Sequence, residues 1–101
     1  MKLIQILLPV TDNKGQRYED AFFKDLKRTL TDRFGGLTAY TRAPAEGLWS
    51  NAGTHQKDDI VVVEVMAKNF DRTWWKALKS HLKETLQQEE IVIRAQPIDV
   101  L

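Results

Sequence analysis

The sequence predicts a single α+β domain, a ferredoxin-like sandwich with the chain order β-α-β-β-α-β. In four segments apolar residues alternate with a period of two, as in strands, and in two segments they recur every three or four residues, as in helices. The chain has no internal linker and no internal repeat. With right-handed crossovers through both helices, the simplest arrangement is one antiparallel sheet in the strand order 4-1-3-2 with both helices on one face. One hydrophobic core is expected for a chain of 101 residues.

The first half of the chain supplies two strands and a helix. Residues 1–10 alternate, with Ile4, Ile6 and Leu8 on one parity, and predict the first strand. Apolar residues recur at three- and four-residue spacing through 22–34 and predict the first helix. Gly35 and Gly36 follow its last apolar residue, at the point where a left-handed glycine can end a helix. Residues 37–42 are the predicted second strand.

The second half repeats this pattern. Residues 59–67 (DIVVVEVMA) predict the third strand, and residues 90–96 predict a fourth strand that ends at Pro97. Between them, Asn69 or Asp71 is a candidate N-cap for the second helix. Its apolar stripe contains Trp75, which is expected in the core, whereas Trp74 is expected at the core margin, against the sheet edge or a partner.

Composition excludes several classes of function. The chain has no cysteine, so it has no disulfide, no thiolate nucleophile and no cysteine-bound metal. Fifteen basic and fourteen acidic side chains leave a formal charge of +1, which predicts no general attraction to nucleic acid or to a membrane. No phosphate-binding glycine loop or dinucleotide fingerprint is present, and no cofactor is expected. A cytoplasmic location is the default expectation.

Several short motifs carry a resemblance to a known family. They are RFGGLT at residues 33–38, Gly47-x-Trp49, Gly53, two aspartates before the valine-rich strand, and QEEIVI at residues 88–93. With these motifs the chain resembles a family of small bacterial α+β proteins of unknown function. The resemblance implies a fold of the dimeric α+β barrel type and assigns no catalytic residue.

The open sheet face, the side of the sheet that both helices would leave uncovered, is the predicted binding surface. On this face the strand order puts Gln5 between Arg94 and Glu64. A structural ion pair between the two charged residues is the simpler interpretation, and a polar cluster that orients a ligand is the alternative. The other members of the face from the first, third and fourth strands are Leu3, Leu7, Val62, Met66, Val92 and Gln96. The second strand contributes one of two alternating sets, either Thr38, Tyr40 and Arg42 or Leu37, Ala39 and Thr41.

This half-apolar face predicts a partner. Contiguous exposed apolar surface usually marks an interface, and the commonest closed solution is a homodimer that uses the same surface twice. A cavity between the two sheets would then hold a small-molecule ligand.

The connection between the second and third strands holds further candidates. Trp49 is either a stacking or anchoring residue or one buried beneath its own loop. His55 lies near Asp58 and Asp59, but adjacent carboxylates on a strand point in opposite directions, so no metal site is predicted. His81, on the second helix, is expected to be a packing or surface residue.

Three functions fit these observations. The first is a non-catalytic homodimeric domain that binds a partner or small ligand through the open sheet face and residues 43–57. The second is a cofactor-independent oxygenase or isomerase that uses Glu64, Arg94, Tyr40 and His55. The third is an anion-binding module on a basic stripe of the second helix, formed by Arg72, Lys76, Lys79 and Lys83.

Overall fold

The computed structural model describes residues 1–36, 38–42 and 60–101, with the backbone alone for 39–42. These residues form one antiparallel sheet of four strands, in the order β2-β3-β1-β4, together with two helices. The elements are β1 (Lys2–Pro9), α1 (Asp20–Phe34), β2 (Thr38–Arg42), β3 (Ile60–Ala67), α2 (Arg72–Leu86) and β4 (Val92–Pro97).

The hydrophobic core lies between the sheet and the two helices. The central strand β1 pairs Ile4 with Val65 and Ile6 with Val63, and on its other side Ile6 pairs with Ile93. Paired residues of an antiparallel sheet point to the same face, so the all-apolar parity of β1 meets apolar parities on both neighbours. The buried core consists of Ile4, Ile6, Leu8, Leu26, Leu30, Val63, Val65, Ala67, Trp75, Leu82, Leu86 and Ile91.

The predicted fold class was a β-α-β-β-α-β sandwich with the sheet order 4-1-3-2, and the sheet, read from β4 to β2, has this strand order. The described side chains of the packed core come from the two helices and from the strands β3, β1 and β4, which together form a β-α-β-α-β arrangement. β2 pairs with β3 at the edge of the sheet, with Ala39 in register with Val63 and Thr41 in register with Val61.

Some strand ends differ from the predicted ones. The described parts of β2 and β3 begin at Thr38 and Ile60, and the predicted first residues, Leu37 and Asp59, lie outside the described residues. β4 runs from Val92 to Pro97, whereas residues 90–96 were predicted. Residues 90 and 91 precede the strand, and the Glu90 carboxylate accepts the backbone N–H of Ile91 at 3.1 Å. Pro97 fits inside β4 because an edge strand has one side without ladder partners.

Local chemistry sets the C-terminal end of α1 and the N-terminal end of α2, as predicted. Gly35 has a φ of 83°, and its N–H donates to the Thr31 carbonyl at 2.8 Å, so α1 ends in a left-handed cap. Asp71 is the N-cap of α2, and its side chain accepts the Trp74 N–H at 3.2 Å. Of the two predicted caps for α2, Asp71 is therefore the correct one.

An aromatic cluster joins the end of α1 to the start of α2. Trp75 is buried in the core as predicted and stacks on Phe34, with 5.3 Å between ring centroids. Trp74 is half-buried and meets Phe34 edge to face at 5.4 Å. The Arg33 guanidinium lies 4.4 Å from the Trp74 ring centroid, within cation–π range. Trp74 thus sits at the core margin, packed on α1.

Neither of the described helices is long and apolar enough to cross a lipid bilayer.

Candidate functional site

Three polar side chains form a row across β4, β1 and β3, at the centre of the open sheet face. Gln5 is in register with Arg94 on one side and with Glu64 on the other. Arg94 Nε donates to Gln5 Oε1 at 2.7 Å, and Gln5 Nε2 donates to Glu64 Oε1 at 3.0 Å. These three side chains are the polar row. Gln5 mediates between the two charged groups, so the direct ion pair that was the simpler expectation is replaced by an amide bridge.

The polar row exists because Gln5 interrupts an otherwise apolar strand. Leu3 and Leu7, its neighbours on the same parity of β1, are both half-buried. Glu64 interrupts the valine-rich β3 at the register position opposite Gln5. Strands on either side of β1 are roughly 9–10 Å apart, too far for direct contact of short side chains, and the Gln5 amide spans that gap.

Arg94 is exposed and retains unused donors. Among the residues that the structure describes, it makes one hydrogen bond, the one from Nε to Gln5. A guanidinium has five N–H donors, so the bond to Gln5 leaves both terminal nitrogens for another acceptor. Glu64 is half-buried and has a further interaction in addition to its bond with Gln5.

The apolar surroundings of the polar row are less exposed than the sequence predicted. Met66 and Val92 are 53% and 46% exposed, as expected for an uncovered face. Val62, on the same parity, is fully buried and lies outside the helix-side core cluster. The open sheet face is therefore solvent-accessible around Arg94, Val92 and Met66, and shielded at Val62.

Register decides between the two sets predicted for β2. Thr38 is opposite Glu64, Tyr40 is opposite Val62, and Arg42 is opposite Ile60. These three residues thus occupy the open-face register positions. The side chains of Tyr40 and Arg42 lie outside the described residues, as do Trp49, His55, Asp58, Asp59 and the rest of residues 43–57.

The basic stripe of α2 is partly neutralised. Lys79 Nζ lies 2.8 Å from Glu90 Oε1. The hydrogen bond and positive charge of Lys79 lower the pKa of Glu90 below its usual value near 4.5, with help from the Ile91 N–H. Arg72 lies over the Phe70 ring at 5.3 Å. In the described part of the chain, one of the four cations thus has an ion-pair partner, which weakens the case for an anion-binding stripe.

Two cavities on the helix side had no signal in the sequence. One, of about 370 Å³, lies between α1 and α2; exposed His81 is at its wall, together with Phe22, Asp25, Leu26, Thr29, Leu78, Leu82 and Thr85. The other, of about 350 Å³, is lined by Asp12, Asn13, Lys14, Gln16, Tyr18, Thr85, Leu86 and Gln87. Across the described ranges, no three His, Asp or Glu side chains come together as a metal site would require.

Comparison with known proteins reveals a likeness of fold. A solved structure of a phage SAM lyase in complex with S-methyl-5'-thioadenosine matches 94% of this chain and 79% of its own, with a TM-score of 0.59 and 12% identity. At that identity the match shows the fold alone. No protein-family model matches the sequence, and no curated protein does. The chain is a small α+β domain with an antiparallel sheet, and its resemblance to an uncharacterised bacterial family stays a prediction.

Proposed function

We propose that this protein binds a small ligand on the open sheet face, with the polar row as the centre of the site. The observation that carries the proposal is the bridge of Gln5 to both Arg94 and Glu64, at 2.7 and 3.0 Å. Two bonds fix the direction of the Gln5 amide, so the row presents donors and acceptors in a set order. Binding sites of this kind combine a few oriented polar groups with apolar walls.

The apolar walls would come from the same face and from a second copy of the chain. Met66 and Val92 expose about half of their surface beside the polar row, and both would be buried in a face-to-face homodimer. A two-fold arrangement places the same surface on both sides of the contact and encloses the polar groups between two sheets. The dimer is part of this proposal.

The likeness to the phage SAM lyase supplies the first ligand to test. That protein has a similar fold and was solved with S-methyl-5'-thioadenosine. The compound is a small, largely apolar nucleoside with hydrogen-bonding edges, which suits a polar row within apolar surroundings.

Calorimetric titration with S-methyl-5'-thioadenosine tests the proposal. Binding is expected for the wild type and should weaken at least tenfold in Gln5→Leu, because this change removes the central amide of the row and its hydrogen bonds to Arg94 and Glu64. Lys24→Leu is the control, since the Lys24 side chain is exposed on α1, outside the open sheet face and both described cavities. Equal affinity in wild type and Gln5→Leu would place binding elsewhere and overturn the proposal.

A catalytic role of the same face is the second candidate. It is favoured by a half-buried carboxylate, Glu64, held by an amide hydrogen bond at the centre of the site. The direct test is incubation with SAM followed by chromatography for S-methyl-5'-thioadenosine. If the wild type forms this product and Glu64→Gln does not, the protein is an enzyme that uses Glu64. If the wild type binds the ligand but forms no product, the protein is a binding protein.

A further inference from the structure

We infer that the ligand of the polar row carries an α-amino acid head group, with its carboxylate on Arg94 and its ammonium on Glu64. This inference rests on the proposed function, whose site it shares, and it adds the chemical class of the ligand.

The first step is the order of charges along the row. Arg94 is cationic, Gln5 is neutral and Glu64 is anionic, and the three are joined in that order by hydrogen bonds. A ligand lying along this row meets a guanidinium at one end and a carboxylate at the other. The complementary head group is a zwitterion, with its anion and cation side by side.

The second step is the geometry that Gln5 itself defines. Its amide offers an acceptor, Oε1, to Arg94 and a donor, Nε2, to Glu64. An α-amino acid head group has the same pattern, because a carboxylate oxygen accepts and an adjacent ammonium donates. Such a head group placed over the Gln5 amide would repeat the bridge already present in the protein, with both hydrogen bonds assisted by charge.

The third step is the remaining capacity of the two charged residues. Arg94 uses only Nε within the described part of the chain, so its terminal nitrogens remain available to another acceptor. Glu64 already accepts from Gln5 and has a further interaction. A carboxylate has about four acceptor positions, so these contacts are compatible with an added ammonium donor.

The fourth step is the choice between anions. A phosphate would also suit a guanidinium, but it carries up to two negative charges and lies within reach of the Glu64 field. A carboxylate with an attached ammonium has no net charge to be repelled. Half-buried Leu3 and Leu7 and exposed Met66 flank the row, so the rest of the ligand is expected to be apolar.

The probe is L-leucine, compared with two analogues that each lack one charge: 3-methylbutylamine, without the carboxylate, and 4-methylpentanoate, without the ammonium. NMR titration of the isotopically labelled chain follows the Gln5 side-chain amide and the Arg94 Nε–H. We expect leucine to shift both signals and both analogues to bind at least tenfold more weakly, since each loses a charge-assisted contact.

Variants separate this inference from the proposed function. Arg94→Met should weaken the affinity for leucine at least tenfold and leave the affinity for 3-methylbutylamine unchanged. The control Lys24→Met, which changes an exposed residue of α1, should alter neither affinity. Leucine and its analogues binding equally, or leucine failing to shift either signal, would overturn the inference. If S-methyl-5'-thioadenosine shifts these signals while leucine does not, the proposed function stands and the zwitterion assignment is wrong.

Discussion

Tyr18 donates its hydroxyl hydrogen to the backbone carbonyl of Leu86 at 2.7 Å, across 68 residues of sequence. The same hydroxyl accepts a hydrogen bond from Gln88 Nε2 at 2.8 Å. Leu86 is the last residue of α2, where carbonyls have no partner within the helix. Tyr18, in the segment that precedes α1, therefore caps the C-terminal end of α2 by donating to one of its free carbonyls.

Tyr18→Phe should lower the free energy of unfolding by about 1 kcal/mol, because it leaves the Leu86 carbonyl without its donor. Urea denaturation measures the change. Thr29→Ala is the control, since it also deletes one hydrogen bond to a backbone carbonyl, but within one exposed turn of α1. If Tyr18→Phe lowers the free energy of unfolding no more than Thr29→Ala does, the capping role of Tyr18 is contradicted.

Gly35 and Gly36 are adjacent glycines with opposite expectations. Gly35 has a φ of 83°, whereas Gly36 is outside the positive-φ region, and a Cβ would meet no atom within 4 Å at either position. Gly35→Ala should therefore destabilise the fold by about 1 kcal/mol through backbone strain alone. Gly36→Ala should be neutral or stabilising by up to about 1 kcal/mol, because it restricts the unfolded chain. Thermal unfolding of both variants would refute this account if their melting temperatures fell equally.

Asp71 has two roles that substitution can separate. Its Oδ1 caps α2 through the Trp74 N–H, and its Oδ2 lies 3.8 Å from Arg33 Nη2. Asp71→Asn should keep the cap and lose an exposed ion pair, at a cost below about 1 kcal/mol. Asp71→Ala should lose both, costing about 0.5–2 kcal/mol for the cap alone. Unfolding in guanidinium chloride should give a lower free energy of unfolding for Asp71→Ala than for Asp71→Asn. The reverse order would exclude the capping role.

The Glu90 carboxylate makes a pH-dependent contribution to the stability of the fold, and the sign of this contribution follows from its pKa. Lys79 lowers the pKa of Glu90 in the folded chain below its usual value near 4.5. The stabilisation is therefore present above the unfolded pKa and is lost as the pH falls through the folded pKa. Lys79→Met should raise the Glu90 pKa toward its usual value and flatten the loss of stability below about pH 4.5.

Carbon NMR of the Glu90 carboxylate measures this pKa directly. Lys76→Met is the matched control, because Lys76 is an exposed lysine of the same helix with no ion pair to the carboxylates in the described part of the chain. An unchanged Glu90 titration in Lys79→Met would show that the bridge does not form in solution.

The proposed homodimer predicts a response to charge on the open sheet face. Met66→Lys combined with Val92→Lys places four cations in a two-fold contact, which like-charge repulsion should separate. Light scattering at micromolar concentration should give a dimer for the wild type and a monomer for this variant. Val100→Lys changes an equally exposed apolar residue beyond β4 and should remain dimeric. A monomeric wild type would contradict the proposal.

Features set by neighbouring residues or by strand parity could be predicted from the sequence. The caps at Gly35 and Asp71 follow from local backbone chemistry. The meeting of Gln5 with Arg94 and Glu64 follows from the alternation of three strands and their order.

Contacts between distant side chains left no such pattern. Tyr18 reaching Leu86 and Arg33 lying over Trp74 depend on how the elements pack, and nothing periodic marks them. The burial of Val62 on the open-face parity is of the same kind.

The central position of β1 has a consequence for synthesis of the chain. Its pairing with β4 joins residues as far apart as Gln5 and Arg94, which are separated by 89 positions. On the ribosome, β1 emerges first of the strands and must wait for the last one before both of its backbone edges are satisfied. An apolar strand with an open edge is prone to aggregate, so overproduction is expected to depend on chaperones or low temperature during translation.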